Sequence, residues 1–466
     1  MGFAPRTLAA PLALALCLVL TAASPPPAPT GLTQVALASG HAARVHLRAM
    51  VQRTRDNRTS IETLDVQGVR RLRRRCIEDL CSGSFFDGTT LHNFGINSTP
   101  FPEATGEEAT LRTYAAVVST AFAESDFTGT VTPLAASTLG DRYRVSAPEG
   151  APLIVLINPQ THALAAVARA DGTPIGRLSA HRVGDTVLYD EGTFDSVTRV
   201  EGAIAAPTGP TTVSPGASTV DLGSEPLPIV PCSIEGRRAM CLIDTGTSPS
   251  GMSLAFAEKL GREPHGEISM TALGEYLTGA IEAGPVTIGT TSIGPMHFAV
   301  EHETRGLNFD ILIGADALAS VHVTLDRVHR TLTIGPSAPS QSAEHTIALS
   351  FARGVPYVDA QLGGTASRLL FDTGDNGTLS ISYESYRRDT TLFVARANVR
   401  AYGLGGAMDA LSGELPAATI GPVILRNVPI RAIRGQYEGH LGYGFAEHCE
   451  RLGIDFARKQ LDCAKI

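Results

Sequence analysis

The chain has 466 residues, 43% of them hydrophobic and 18% charged, with a formal net charge of −8 at pH 7. Such a length exceeds what one hydrophobic core organises, and such a balance excludes a disordered chain. The charge is spread along the sequence, 38 Lys and Arg against 46 Asp and Glu, so nucleic acid is not an expected partner. Forty-seven glycines and 29 prolines punctuate short Val, Ile, Leu and Thr runs, the pattern of a mainly β protein rich in turns.

Taken in order, residues 1–23 read as a signal peptide. Arg6 is the lone charge before an apolar run from Leu8 to Leu20, and Thr21-Ala22-Ala23 supplies small residues for cleavage. The run is shorter than the roughly 20 residues a membrane-spanning helix needs, so no transmembrane segment is expected in the mature chain. Leu16 before Cys17 is bulkier than a lipid-attachment site wants, which favours soluble export to the periplasm or beyond over a lipoprotein anchor. Six cysteines then remain in three sequence-local pairs: Cys76 with Cys81, Cys232 with Cys241, and Cys449 with Cys463. An even number in an exported chain suggests disulfides, with buried free thiols as the alternative. A hairpin turning at Gly236-Arg237 would set Cys232 directly opposite Cys241. None of the pairs has the spacing of a redox or zinc motif.

Residues 24–40 are a Pro-, Ala- and Thr-rich lead-in. An N-terminal β-rich domain is expected over 41–200, with strands near 45–51, 142–146, 153–157, 163–169 and 175–182 and a helix over 107–123. The basic run Arg70 to Arg75 reads as a solvated strand face, because no aromatic residues interleave it for stacking on bases. Phe85-Phe86-Asp87-Gly88-Thr89, Tyr143-Arg144-Val145 and the stretch Leu153 to Thr161 resemble the curved-sheet, lipoprotein-carrier-like domains of bacterial envelopes. That resemblance implies an apolar groove for a lipid or peptide; a spacer or inhibitory prodomain is equally open. Residues 201–220, nearly uncharged and rich in Ala, Pro, Gly, Thr and Ser, read as a linker, and 336–342 as a second one. They bound two units over 221–335 and 343–466.

The two units are copies. Leu242-Ile243-Asp244-Thr245-Gly246 returns as Leu370-Phe371-Asp372-Thr373-Gly374, 128 residues on. The same period relates Pro228 to Pro356, Val230 to Val358, Gly236 to Gly364, and Gly314 to Gly442. Each apolar pair buries a strand end, so each aspartate emerges at a loop anchored in a core, and the glycine after Thr lets backbone approach closely. Ser253 caps a helix over Leu254–Leu260 that Gly261 ends. Glycine-rich hairpins are expected at 271–284 and 401–414. Apolar closing runs follow: Ile311-Leu312-Ile313-Gly314 in the first copy and His440-Leu441-Gly442 in the second.

These residues together resemble the retropepsin-like aspartyl proteases of bacteria, with two Asp-Thr-Gly lobes fused in one chain as in pepsin-like enzymes. The resemblance implies a two-lobed β fold over about 220–466 and an aspartic endopeptidase acting on a peptide or protein substrate, as a monomer. Asp244 and Asp372 would share one proton and activate water, with no metal, cofactor or covalent intermediate. Thr245, Gly246, Thr247, Thr373, Gly374 and Asp375 would form the supporting loops. Tyr276 and Tyr402 would lie on substrate-covering flaps. The second copy departs from the family pattern. Asp375 stands where the first copy has Thr247, and an added negative charge there is expected to raise the pKa values of the pair. His440 stands where the first copy has Leu312. The alternative is a catalytically silent envelope protein that binds peptide or lipid on the same scaffold.

Overall fold

The structure is a computed structural model that describes residues 45–464 apart from 56–57, 103–107, 121–128, 136, 138–139, 185, 272–274, 303–307, 337–343, 404–405 and 435–437. The expected signal peptide and lead-in lie outside the described residues, as does the second linker beyond Pro336. The chain is mainly β. Among the described residues no helix is long and apolar enough to cross a membrane.

The N-terminal part holds a seven-stranded sheet whose order runs from Ser196–Arg199 through Leu47–Arg55 and on, as a meander, to Phe101–Pro102. A five-stranded sheet between Thr130–Pro133 and Pro174–Arg177 packs against the helix Glu108–Thr120. The helix buries Val117 and Val118 against Val145, Val155 and Ile157, the inward residues of strands that alternate in and out. The region expected as one strand over 175–182 divides into Pro174–Arg177 and Ser179–Val183, which belong to different sheets. The basic run also differs from a simple solvated face. Arg71 and Arg73 reach Asp190, itself 1% exposed, at 3.0 and 3.1 Å, since a buried carboxylate needs a charged partner.

Each copy of the duplicated half has its own large sheet, ten-stranded in the first and eight-stranded in the second. A six-stranded sheet joins them. In it the strand His322–Asp326 of the first copy pairs antiparallel with Arg451–Asp455 of the second, Val323 opposite Ile454 and Leu325 opposite Leu452. One hydrophobic cluster runs through both copies, from Val230 and Phe298 to Phe371 and Phe445. The stretch read as a linker over 201–220 contributes strands of its own. Thr212–Val213 pairs with Thr291–Ile293, and Ser218–Asp221 with Thr331–Gly335. The N-terminal part is pinned too: Asn97 donates to Asp316 Oδ2 at 2.6 Å, and Phe101 stacks on Phe351.

Among the described residues three disulfides are present, Cys76–Cys81, Cys232–Cys241 and Cys449–Cys463. Cys76 and Cys81 are register partners. Cys232 and Cys241 are not, contrary to expectation. The hairpin turns at Glu235-Gly236, so Cys232 faces Ala239 and Cys241 faces Val230, and the bridge crosses the ladder diagonally over a Cα separation of 5.9 Å.

Candidate functional site

The two aspartates reach the site by equivalent routes. Arg237–Ile243 pairs antiparallel with Ile229–Ile234, and Thr365–Asp372 with Val355–Leu362. Ile229 faces Leu242 and Tyr357 faces Leu370, the same register one period apart. Each aspartate strand is then flanked in parallel by its closing run, Leu242 beside Leu312 and Leu370 beside His440. A strand covered on both faces must be apolar throughout, and Leu242, Ile243, Leu369, Leu370 and Phe371 are all buried. The first polar residue after them ends each strand at the site. After the first loop, Ser253 caps Leu254–Leu260 by accepting from the Phe256 N–H, and Gly261 closes the helix at φ 69°.

The loops lock each other. The Thr245 N–H donates to Thr373 Oγ1 and the Thr373 N–H to Thr245 Oγ1, each at 3.1 Å. Each hydroxyl passes its own proton on, Thr245 to the Phe371 carbonyl at 2.7 Å and Thr373 to the Ile243 carbonyl at 2.6 Å. Both threonines are fully buried, so every donor in this dry square has an acceptor, as burial demands. One residue on, the Gly246 N–H donates to Asp244 Oδ1 and the Gly374 N–H to Asp372 Oδ1, each at 2.9 Å. A Cβ on Gly246 would overlap the Asp372 carboxyl, and one on Gly374 the Asp244 carboxyl. Glycine is required there by space.

The carboxyls of Asp244 and Asp372 therefore meet across the local dyad, hydrogen-bonded to each other. Burial, then the charge of Asp372, pushes Asp244 well above the ordinary carboxylate range. Burial acts on Asp372 the same way, but the hydrogen bond and charge of His440, helped by the bond from Asp244, outweigh it and hold Asp372 below its ordinary value. His440 Nδ1 lies 3.3 Å from Asp372 Oδ2. Burial alone would lower His440, yet Asp372 and then Asp375 raise it. The surroundings of the pair are thus asymmetric: burial and its partner raise Asp244, while His440 lowers Asp372 and is itself raised by it.

Asp375 is held by partners on its own loop and on neighbouring strands. Oδ1 accepts the Gly377 N–H at 2.7 Å and Oδ2 accepts the Ser380 hydroxyl at 2.8 Å. Arg431 stands 4.0 Å from Oδ1, and His440 Nδ1 3.9 Å from Oδ2. Its backbone keeps the role of Thr247: the Asp375 carbonyl accepts the Tyr443 N–H as the Thr247 carbonyl accepts that of Ala315. His440 stands against both Asp372 and Asp375, and the charge of Asp375 raises it.

The pair sits in a cleft of about 750 Å³ whose walls include Leu227, Phe309, Leu379, Arg400, Met408 and Ile430. Both expected hairpins exist, but their paired strands begin before the expected ranges. The first joins His265–Thr271 to Glu275–Ala283, and the second joins Val394–Gly403 to Gly406–Ile420. The second contributes Arg400, Ala401 and Met408 to the cleft. Tyr402 lies in that hairpin opposite Ala407. Tyr276 is not among the cleft-lining residues. Its hydroxyl donates to Glu301 Oε2 at 2.5 Å, one oxygen of a carboxyl that burial has raised above its ordinary range.

Sequence reasoning noted His440 without finding its partner. The signal was available, since the 128-residue period puts it at the place of Leu312, beside an aspartate strand. Arg400 and Arg431 had no such signal.

The family described as Aspartyl protease matches residues 230–317. No curated protein matches the chain in sequence. Among solved structures, the crystal structure of an aspartic proteinase from Irpex lacteus is similar at 13% identity and a TM-score of 0.37, over 53% of this chain and 97% of that one. The family match covers the first copy from its aspartate hairpin through its closing run, and there the chain is similar to aspartyl proteases.

Proposed function

We propose that the protein is an exported aspartic endopeptidase in which Asp372 is the base and Asp244 the acid. The observation that carries this reading is the threonine square, which holds two carboxyls of opposite protonation tendency face to face on the floor of a cleft. An extended peptide lies in the cleft beneath the second copy's hairpin, with its carbonyl oxygen toward Asp244. Asp372 takes a proton from water as the oxygen attacks the carbonyl carbon, and Asp244 gives its proton to the carbonyl oxygen. The tetrahedral diol then collapses. Asp372 delivers its proton to the leaving nitrogen, the C–N bond breaks, and Asp244 recovers a proton from the diol. His440 stabilises the anionic form of Asp372 from which the cycle starts. Three disulfides are compatible with an extracellular or periplasmic setting.

The test is peptide cleavage from pH 3 to 8 by the wild type, Asp244→Asn and Asp372→Asn. Removal of a positioned acid or base costs on the order of 10²–10⁴ in rate. Both variants are expected to fall at least that far while keeping their circular dichroism. A wild type that binds pepstatin but cleaves nothing across this range would establish the silent binding protein instead.

A further inference from the structure

Away from the cleft, three side chains converge from separate strands. Asp79 sits in the two-residue turn between Arg70–Ile77 and Leu80–Phe86, whose tip the Cys76–Cys81 disulfide closes. His265 opens the hairpin strand His265–Thr271 of the first copy, and His297 lies in the strand Met296–Glu301. His265 Nε2 is 2.8 Å from Asp79 Oδ1, and His297 Nε2 is 3.4 Å from Asp79 Oδ2. One ligating atom from each lies within 4.8 Å of the others.

We infer that Asp79, His265 and His297 bind a divalent transition metal, Zn²⁺ foremost, that staples the seven-stranded sheet to the base of the first copy's hairpin. Two imidazole nitrogens and one carboxylate oxygen are the donor set that zinc takes, with water as the fourth ligand. Calcium and magnesium prefer all-oxygen shells and fit poorly. The frame is held by features that have no other bearing on the cluster. The disulfide closes the Asp79 turn, and Asn97 grips the backbone of His297 on both sides, accepting its N–H at 2.7 Å and donating to its carbonyl at 2.8 Å. Asp79 is 55% exposed, which leaves an entry path and room for water. Nearby, Arg58 pairs with Glu267 across the same junction, so both ends of the contact are polar and joined by charge. The two sheets meet here with a small apolar cluster of Leu80, Ile96 and Ala280. A metal adds a covalent-strength link where apolar burial is modest. The inference rests on neither the dyad nor its activity.

The test titrates the chelator-treated full chain with ZnCl₂ by calorimetry and with Co²⁺ by visible absorption. The expected result is one site per chain, a Co²⁺ spectrum of four- or five-coordinate nitrogen–oxygen ligation, and a melting temperature that rises with Zn²⁺ by mass action. His265→Gln, His297→Gln and Asp79→Asn should each weaken Zn²⁺ at least 10-fold, since loss of even an outer-shell partner costs 10–100-fold. His329→Gln, at an exposed histidine elsewhere, should change nothing. His265 is the more exposed of the two histidine ligands, so its variant reads the site with least risk to the fold. Zn²⁺ affinity unchanged in His265→Gln and His297→Gln, or Co²⁺ left six-coordinate, overturns the inference.

Discussion

Replacing His440 by leucine gives the second copy the residue the first already has at Leu312, and it should move the acid limb of the pH profile upward. At 3.3 Å an imidazolium and a carboxylate attract by about 5 kcal/mol at an effective dielectric near 20. That is a ceiling, because both charges are spread over two atoms. Opposite charges within about 4–6 Å shift a carboxyl by about 1–3 units, or roughly 1.4–4 kcal/mol. In the wild type Asp372 is held below 3.8 and His440 above 6.5, so the ion pair spans the interval between those lowered and raised values. Activity as kcat/KM reports the free enzyme, and its acid limb marks protonation of the mono-anionic pair. In His440→Leu that limb should rise by about 1–3 units. His440→Asn keeps a hydrogen bond without the charge and should follow the leucine variant most of the way. The stability signs agree. The raised histidine stabilises the fold below its unfolded value and ceases to as pH rises through its folded one. The lowered aspartate contributes above its unfolded value and loses that contribution as pH falls through its folded one. A folded His440→Leu enzyme with an unmoved acid limb would refute the assignment of charge to Asp372.

Three further outcomes are expected. Thr373→Val strips partners from the buried Thr245 N–H and Ile243 carbonyl, at about 1–3 kcal/mol for each group, so the urea midpoint should fall clearly with little change in slope. Gly246→Ala forces the Asp372 carboxyl aside and should abolish cleavage while circular dichroism is retained. Replacing Cys232 and Cys241 together by alanine releases a short closed loop, for which chain entropy predicts a loss of about 3 kcal/mol, read as a lower denaturant midpoint.

Much of this site was legible because its parts repeat. The period placed both aspartates, and the apolar pairs before them told which strands must be buried on both faces. The misplaced turn between the cysteines was legible too, in the other copy. Gly363 and Gly364 adopt φ of 57° and 92°, and one period earlier Glu235 and Gly236 adopt 48° and 76°. The tandem glycines, read back one period, narrow the expected turn Glu235-Gly236-Arg237 to its first two residues and exclude a turn at Gly236-Arg237. What stayed hidden depends on distances between strands that are far apart in sequence. Tyr276 looked like a flap residue because it lies in a glycine-rich hairpin. Its direction is set by Glu301, a buried acid on the neighbouring strand that needs a donor. Likewise Arg71 and Arg73 looked solvated until Asp190, more than a hundred residues away, came to meet them.

The asymmetry of the pair comes from one position, and that makes it transferable. Leu312 and His440 occupy equivalent places, each beside the residue two before its aspartate, and both line the cleft. Since the protons belong to the pair, a cation beside either carboxyl should lower its first titration step. The double swap Leu312→His with His440→Leu should therefore return the acid limb part of the way from its position in His440→Leu. The return is partial because Asp375, which raises His440, has Thr247 as its counterpart in the first copy. Leu312 is buried with Ile229, Leu242 and Phe309, so the swap costs stability, and the comparison needs protein shown folded by circular dichroism. A folded double variant whose acid limb coincides with that of His440→Leu would mean that the cation acts through Asp375 and its loop rather than on the shared pair.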